Sequence, residues 1–210
     1  MGRRIGLLGG TFDPPHLGHL WVAETAREQL ALDQMLFLPV GEPPHKQDRS
    51  VTAVAHRLAM TKLAIATNPD FVLDTTDMDR PLPHTTHTLL PLLHQAYPDS
   101  QLWFLIGADS LHDFPTWEQP EQIITQCRLA VYPRPGVMID WPKLETAVPG
   151  IETAVDLIKG PIMSISSSGI RNWRRQGHSV CYLVTTDVLN YIEANKLYTK
   201  EPGISETSGS

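Results

Sequence analysis

Apolar positions along the chain alternate between short continuous runs and helical spacings from one end to the other. Ile5-Gly6-Leu7-Leu8 is a run of the buried-strand kind, and it opens into a glycine-rich turn. Behind it, Leu20, Ala23, Ala26 and Leu30 recur at intervals of three and four, the spacing of one helix face. Met35 to Pro39 is a second strand candidate, stopped by the stretch from Pro39 to Lys46. Ala53 to Ala66 has helical spacing, and Phe71-Val72-Leu73 is a third short strand.

Thr86 to Ala96 reads as a helix, with Pro91 expected in its first turn or at a kink, since proline lacks the N–H and crowds the preceding turn. Gln101 to Ile106 is the plainest strand, and Arg128 to Tyr132 is another. Pro133 to Gly160 is rich in turn residues and yields no clear element. From Ser166 the pattern is that of a helix N-terminus, with three serines able to cap open amides. A last amphipathic helix carries Val188, Tyr191 and Ile192. Residues 201–210 are polar and bear Gly and Ser, as expected of a disordered tail behind one domain spanning 1–200.

This alternation, with short connections, predicts an α/β protein: a Rossmann-like, doubly wound, mostly parallel sheet with helices on both faces. Ligands of such sheets gather at the carboxyl ends of the strands, near the switch in strand order.

Composition narrows the classes. With 210 residues, 41% of them hydrophobic, the chain suits a single domain with a full core. No apolar run approaches the length needed to cross a bilayer, and Ile5–Leu8 is too short for a signal peptide, so a cytoplasmic protein is expected. A net charge of −6 argues against a protein that coats nucleic acid. A small anionic ligand remains compatible with it, because helix N-termini hold phosphate even in acidic proteins. Cys127 and Cys181 read as small core hydrophobes in a reducing compartment.

The densest chemistry lies in Gly9-Gly10-Thr11-Phe12-Asp13-Pro14-Pro15-His16-Leu17-Gly18-His19, between a strand and a helix. Gly9 and Gly10 allow close approach of the backbone to a ligand, and open amides at the helix start can bind anions. His16 and His19, three apart, share a face in the first helical turn, and Gly18 leaves room for a phosphate or purine against the backbone. Asp13, ahead of two prolines, reads as a turn-stabilising residue. Taken alone, His-x-x-His is more often a surface or capping pair, or occasionally two metal ligands, and no acidic or Cys cluster nearby completes a metal set. A second string, Ile165-Ser166-Ser167-Ser168-Gly169-Ile170-Arg171, puts hydroxyls, amides and an arginine where a triphosphate would bind, although such serines commonly only cap.

The first string closely resembles the signature of the nucleotidyltransferase superfamily related to class I aminoacyl-tRNA synthetases. The second is similar to that superfamily's Ile-Ser-Ser-Thr-x-Ile-Arg element, with Ser168 keeping the hydroxyl. Pro43-Pro44-His45-Lys46, Ile106-Gly107-Ala108-Asp109-Ser110, Phe114-Pro115-Thr116-Trp117 and the stretch Val188–Tyr198 resemble segments of nicotinate mononucleotide adenylyltransferases, in the same order. The resemblance runs from Arg4 to Tyr198.

It implies transfer of AMP from ATP to nicotinate mononucleotide in NAD biosynthesis, with pyrophosphate released. It further implies catalytic roles for His16, His19 and Arg171, and ATP contacts from Gly9, Gly10, Thr11, Phe12, Gly18, Gly107, Asp109, Ser167, Ser168 and Ile170. The mononucleotide would meet His45, Lys46, Thr85, Thr86, Trp117 and Arg134. Mg2+ would arrive on the ATP phosphates, without a protein cage, and neither nucleic acid nor membrane would be a partner.

In one place the sequence departs from the family. Where Pro-Ser-Tyr-Thr is usual before a Thr-Leu pair, it reads Pro83-His84-Thr85-Thr86-His87-Thr88-Leu89, which bears on acid-versus-amide preference at the pyridine. Other readings stay open: an adenylyltransferase acting on nicotinamide mononucleotide or phosphopantetheine, a non-catalytic nucleotide-binding regulator, or a metal binder using His16/His19 and His84/His87.

Overall fold

The computed structural model describes residues 2–41, 51–133, 136, 138–161 and 163–199. Its strands are β1 (Arg4–Gly10), β2 (Gln34–Pro39), β3 (Phe71–Leu73), β4 (Gln101–Gly107), β5 (Arg128–Tyr132) and β6 (Val155–Leu157). They form one six-stranded sheet in the order β3-β2-β1-β4-β5-β6, and every neighbouring pair is parallel.

Period-two alternation explains why the strand runs are apolar throughout: each face of the sheet has its own core. Leu8, Met35, Phe37, Trp103, Leu105 and Ala130 point to one side. There they meet α1 (Leu17–Gln29), α2 (Val54–Ile65), α9 (Ser167–Arg175) and α10 (Thr186–Ala194) through Ala23, Met60, Ile170 and Val188. Ile5, Leu7, Leu36, Leu38, Leu102, Leu129 and Val131 point to the other. That side is covered by α4 (Thr86–Ala96), α5 (Ala108–Asp113), α6 (Pro120–Gln126), α7 (Trp141–Ala147) and α8 (Ile151–Ala154). A short α3 (Thr76–Asp79) precedes α4.

The expected α/β doubly wound fold is therefore the observed one, its sheet parallel throughout. The stretch Pro133 to Gly160, unreadable in sequence, contributes α7, α8 and the edge strand β6. Pro91 lies in the second turn of α4, not its first. Its missing N–H falls on the exposed side, while Leu89, Leu90 and Leu93 hold the helix to the core. Cys127 is buried, and burial pushes its thiol up to about 12. Cys181 corrects the expectation, being exposed: Val180 and Val184 take the apolar positions beside it. No described helix is long and apolar enough to cross a membrane. The expected tail at 201–210 lies outside the described residues.

Candidate active site

Consecutive crossovers leave β1 and β4 to opposite faces of the sheet, so their carboxyl ends part and leave a crevice. A cavity of about 650 Å³ fills it. Gly9, Gly10 and Thr11 form one wall at the end of β1, and Ile106, Gly107, Ser110 and Trp117 form another beyond β4. Arg80, His84, Thr85 and Thr86 close one end; His16, Gly18, His19, Ile165, Ser166 and Ser167 close the other.

His16 is the N-cap of α1 and not a residue of its first turn, where sequence had put it. The His19 N–H donates to His16 Nδ1 at 3.3 Å, and the His16 N–H donates to His19 Nδ1 at 3.2 Å. This is a capping box built from two imidazoles. The rings stack with centroids 3.7 Å apart. With both Nδ1 atoms accepting, each neutral ring carries its proton on Nε2. Burial lowers His16 to about 4; burial and then the charge of His16 lower His19 to about 3. At neutral pH the pair is thus two uncharged N–H donors at the cavity wall.

The glycine between them has a steric cause. A Cβ on Gly18 would stand 3.0 Å from His16 Nδ1 and 3.1 Å from Cε1, so a side chain would displace the stacked ring. Phe12 lies behind the wall, buried, with its ring edge-on to His19 at 5.1 Å. It supports His19 and does not line the cavity.

Ser166 caps α9, accepting the Gly169 N–H at 3.1 Å. Ser167 donates to Pro14 O at 2.8 Å, and Arg171 Nη1 donates to Asp13 O at 2.6 Å, so α9 is docked onto the turn. Ser168 is exposed, Ile170 is buried in the core, and neither they nor Arg171 nor Asp109 lines the cavity. Asp109 is exposed in the first turn of α5, whose N-cap is Gly107. A Cβ on Gly107 would meet nothing within 4 Å, which leaves the helix start open to the cavity.

Trp117 is half-buried against Phe114 and Phe104, at centroid distances of 5.2 and 6.1 Å. In the same cavity, the Pro83–Thr85 segment is held by an ion pair that sequence reasoning missed. Arg80 and Asp77 are both buried; Arg80 Nε donates to Asp77 Oδ1 at 2.8 Å, and its other N–H groups donate to Pro83 O and Thr85 O, each at 3.1 Å. An acid three residues ahead of an arginine was the available signal, but it fell in an unassigned stretch. His84 Nδ1 lies 2.7 Å from Asp77 O, and His87 Nδ1 lies 3.0 Å from Thr85 Oγ1. Among the described residues no group of three or more His, Cys, Asp or Glu could hold a metal ion. His45, Lys46 and Arg134 lie outside the described residues.

A parallel sheet with a His-x-Gly-His turn at its switch point defines a cytidylyltransferase-like protein, and the model of the family described as cytidylyltransferase-like matches residues 7–173. A Thermomicrobium roseum protein named "Probable nicotinate-nucleotide adenylyltransferase" is 45% identical over 195 residues, 93% of this chain and 91% of the relative. A Roseiflexus protein of the same name is 43% identical, over 92% of this chain and 97% of its own. The chain belongs to the nicotinate-nucleotide adenylyltransferase family. In fold it is similar to Plasmodium falciparum nicotinic acid mononucleotide adenylyltransferase complexed with NaAD, with TM-score 0.74 and 21% identity over 93% of this chain and 97% of that one.

Proposed function

We infer that the chain transfers AMP from ATP to nicotinate mononucleotide, giving nicotinate adenine dinucleotide and pyrophosphate. One observation carries the reading: a single cavity has a neutral, donor-only histidine pair at one end and an aromatic and threonine wall at the other. The first suits a triphosphate. The second suits a flat ring with polar substituents.

The acceptor's phosphate oxygen attacks the α-phosphorus of ATP in line; the new O–P bond forms as the bond to the β-phosphate oxygen breaks, and pyrophosphate leaves. No protein nucleophile takes part, so catalysis rests on positioning and on donors aimed at developing charge. The Nε2–H of His19 donates to an α-phosphate oxygen, with His16 beside it. Gly9, Gly10, Thr11 and Gly18 admit the nucleotide, with Gly107 and Asp109 at the start of α5; Phe12 and Ile170 support this surface from behind. Ser167, Ser168 and Arg171 are assigned to the departing pyrophosphate, Arg171 also fixing the turn through Asp13 O. Trp117 stacks on the pyridine ring beside Thr85 and Thr86, and His45, Lys46 and Arg134 are assigned to the mononucleotide.

Nucleotidyltransferases of this family use a divalent metal with ATP. We assign it to Mg2+, entering on the triphosphate as part of the substrate; Asp77, the one carboxylate residue lining the cavity among the described residues, is committed to Arg80. One sheet with a core on each face supports reading residues 1–200 as a single domain, and we read the enzyme as cytoplasmic.

The test is pyrophosphate release from MgATP with nicotinate mononucleotide, nicotinamide mononucleotide or phosphopantetheine as acceptor. Fast release with the first alone is expected; release only with phosphopantetheine, or with none, overturns the assignment. His19→Ala should reduce kcat by roughly a hundredfold, as loss of an oxyanion donor does. A near-normal rate removes His19 from the mechanism.

A further inference from the structure

The largest fully buried side chain among the described residues is a charged one, Arg57 of α2, at 1% exposure. Among the described residues its hydrogen bonds all go to main-chain carbonyls. Nε donates to Thr52 O at 3.1 Å, Nη1 to Thr11 O at 2.9 Å and to Val40 O at 2.8 Å, and Nη2 to Gly41 O at 2.7 Å. Burial lowers the pKa of this guanidinium, and the charge of Asp13 opposes that shift. Asp13 Oδ2 in turn accepts the Thr52 N–H at 3.2 Å, so Thr52 is held through both its amide and its carbonyl.

The carbonyls that Arg57 gathers belong to neighbouring strand ends, where the Val40 N–H donates to Gly10 O at 3.0 Å and the β1–β2 ladder stops. Thr11 closes the turn after β1, and Val40 forms the wall after β2. Gly41 abuts the opposite end: a Cβ there would stand 3.8 Å from Met78 Cα and 3.9 Å from His84 Cε1. Past that last rung a single planar fork joins the nucleotide turn, through Thr11 O, to Gly41 beside the His84–Thr85 wall. Burying a guanidinium is costly, and a core position on an amphipathic helix would ordinarily hold an aliphatic residue.

We propose that Arg57 is a positioning residue of the transfer reaction, setting the Thr11 wall relative to the Gly41 wall beyond the last rung of the β1–β2 ladder, and hence the separation of the two substrates. The proposal rests on the function inferred above, in which ATP lies on the first wall and the mononucleotide reaches the second. An in-line displacement depends steeply on the approach of its reacting atoms, so a shift between walls acts on the ternary complex. ATP alone, resting on one wall, is little affected. Lysine keeps the charge but lacks the rigid fork and cannot bridge the same carbonyls.

The experiment compares wild type, Arg57→Lys and Ile65→Ala, the last a destabilised control on the same helix whose side chain lies in the core. ATP binding by calorimetry and steady-state kinetics with nicotinate mononucleotide are measured for each. For Arg57→Lys, full ATP stoichiometry and an affinity within about threefold of wild type are expected, with kcat/KM for the mononucleotide down by roughly tenfold or more. The control should lose active fraction without a change in KM. If kcat/KM is unchanged in Arg57→Lys, or if it behaves like the control, the proposal is overturned. Should Arg57→Lys not fold, mononucleotide binding to wild type with and without a non-hydrolysable ATP analogue decides: a changed affinity supports linked walls, and equal affinities overturn them. Absence of pyrophosphate release by wild type with this acceptor is a separate result, which removes the functional reading itself.

Discussion

The Tyr198 hydroxyl donates a 2.6 Å hydrogen bond to Asp13 Oδ1, joining residues 185 positions apart in the chain. Both groups are buried, and burial followed by the Asp13 charge holds the Tyr198 hydroxyl well above its ordinary pKa. Asp13 also receives the Thr52 N–H, and its carbonyl receives Arg171 Nη1. The turn that carries the two histidines is therefore secured by Thr52, ahead of α2, and by Arg171 and Tyr198 near the other end of the chain.

Tyr198→Phe keeps the ring and removes the donor, leaving the buried carboxylate one partner short. Unfolding in urea should show a loss of about 1–3 kcal/mol, the cost of an unsatisfied buried polar group. A loss within about 0.3 kcal/mol would mean that water replaces the hydroxyl.

Gly18→Ala tests the stacking of the histidines. The new methyl meets the His16 ring at 3.0–3.1 Å, so the ring must move while the fold persists. We expect kcat to fall by roughly tenfold or more, because small displacements of a positioned donor are costly, while the thermal midpoint stays near that of wild type. Equal kcat in the two proteins would show that His16 is not held by the fit.

The same pair gives a pH dependence. His16 and His19 have folded values of about 4 and about 3, below the ordinary 6.5. Below pH 6.5 the unfolded chain takes up protons on these rings and the folded chain does not, so stability is fully present above 6.5 and falls as pH drops toward 4. Chemical denaturation at pH 7.5, 6.5, 5.5 and 5 should show the decline. The double variant His16→Gln, His19→Gln should flatten it, and an unaltered slope would refute the lowered values.

Arg80 and Asp77 form a buried pair, so removing one partner strands the other. Arg80→Met should destabilise the protein by about 3–5 kcal/mol, and adding Asp77→Asn should recover much of that loss. Denaturant midpoints of the single and double variants decide it. A double variant no better than the single would show that the bonds from Arg80 to Pro83 O and Thr85 O outweigh the ion pair.

Much of this protein is legible in sequence, for a local reason. Ile5–Leu8, Met35–Pro39 and Gln101–Ile106 are continuous apolar runs because both faces of their sheet are covered, and the α1 spacing of Leu20, Ala23 and Ala26 marks a face turned to that core. The Gly9–His19 and Ile165–Arg171 strings are contiguous, so strand, turn and helix start can be read from each alone. Where periodicity is short or broken by turn residues, as at β6 and α7, the element forms because the sheet edge and its core already exist, and its own sequence carries little trace of it.

Other features only the tertiary structure decides. Histidine spacing shows that two rings share a face, but their stacking, their used Nδ1 atoms and their neutrality come from burial against Phe12 and the helix start. Cys181 reads like Cys127, yet one faces out and the other in, since exposure depends on which neighbours the core accepts. Arg57, Asp77 and Arg80 belong to none of the strings that carry the resemblance, and the string that ends at Tyr198 does not reveal its partner Asp13. Arg57 and Arg80 act through backbone carbonyls, which every residue has, Asp77 acts through Arg80, and Tyr198 acts through a partner 185 positions away. Sequence therefore determines the elements and the chemistry they carry, whereas the three-dimensional packing decides which of those groups are neutral, paired or held in place.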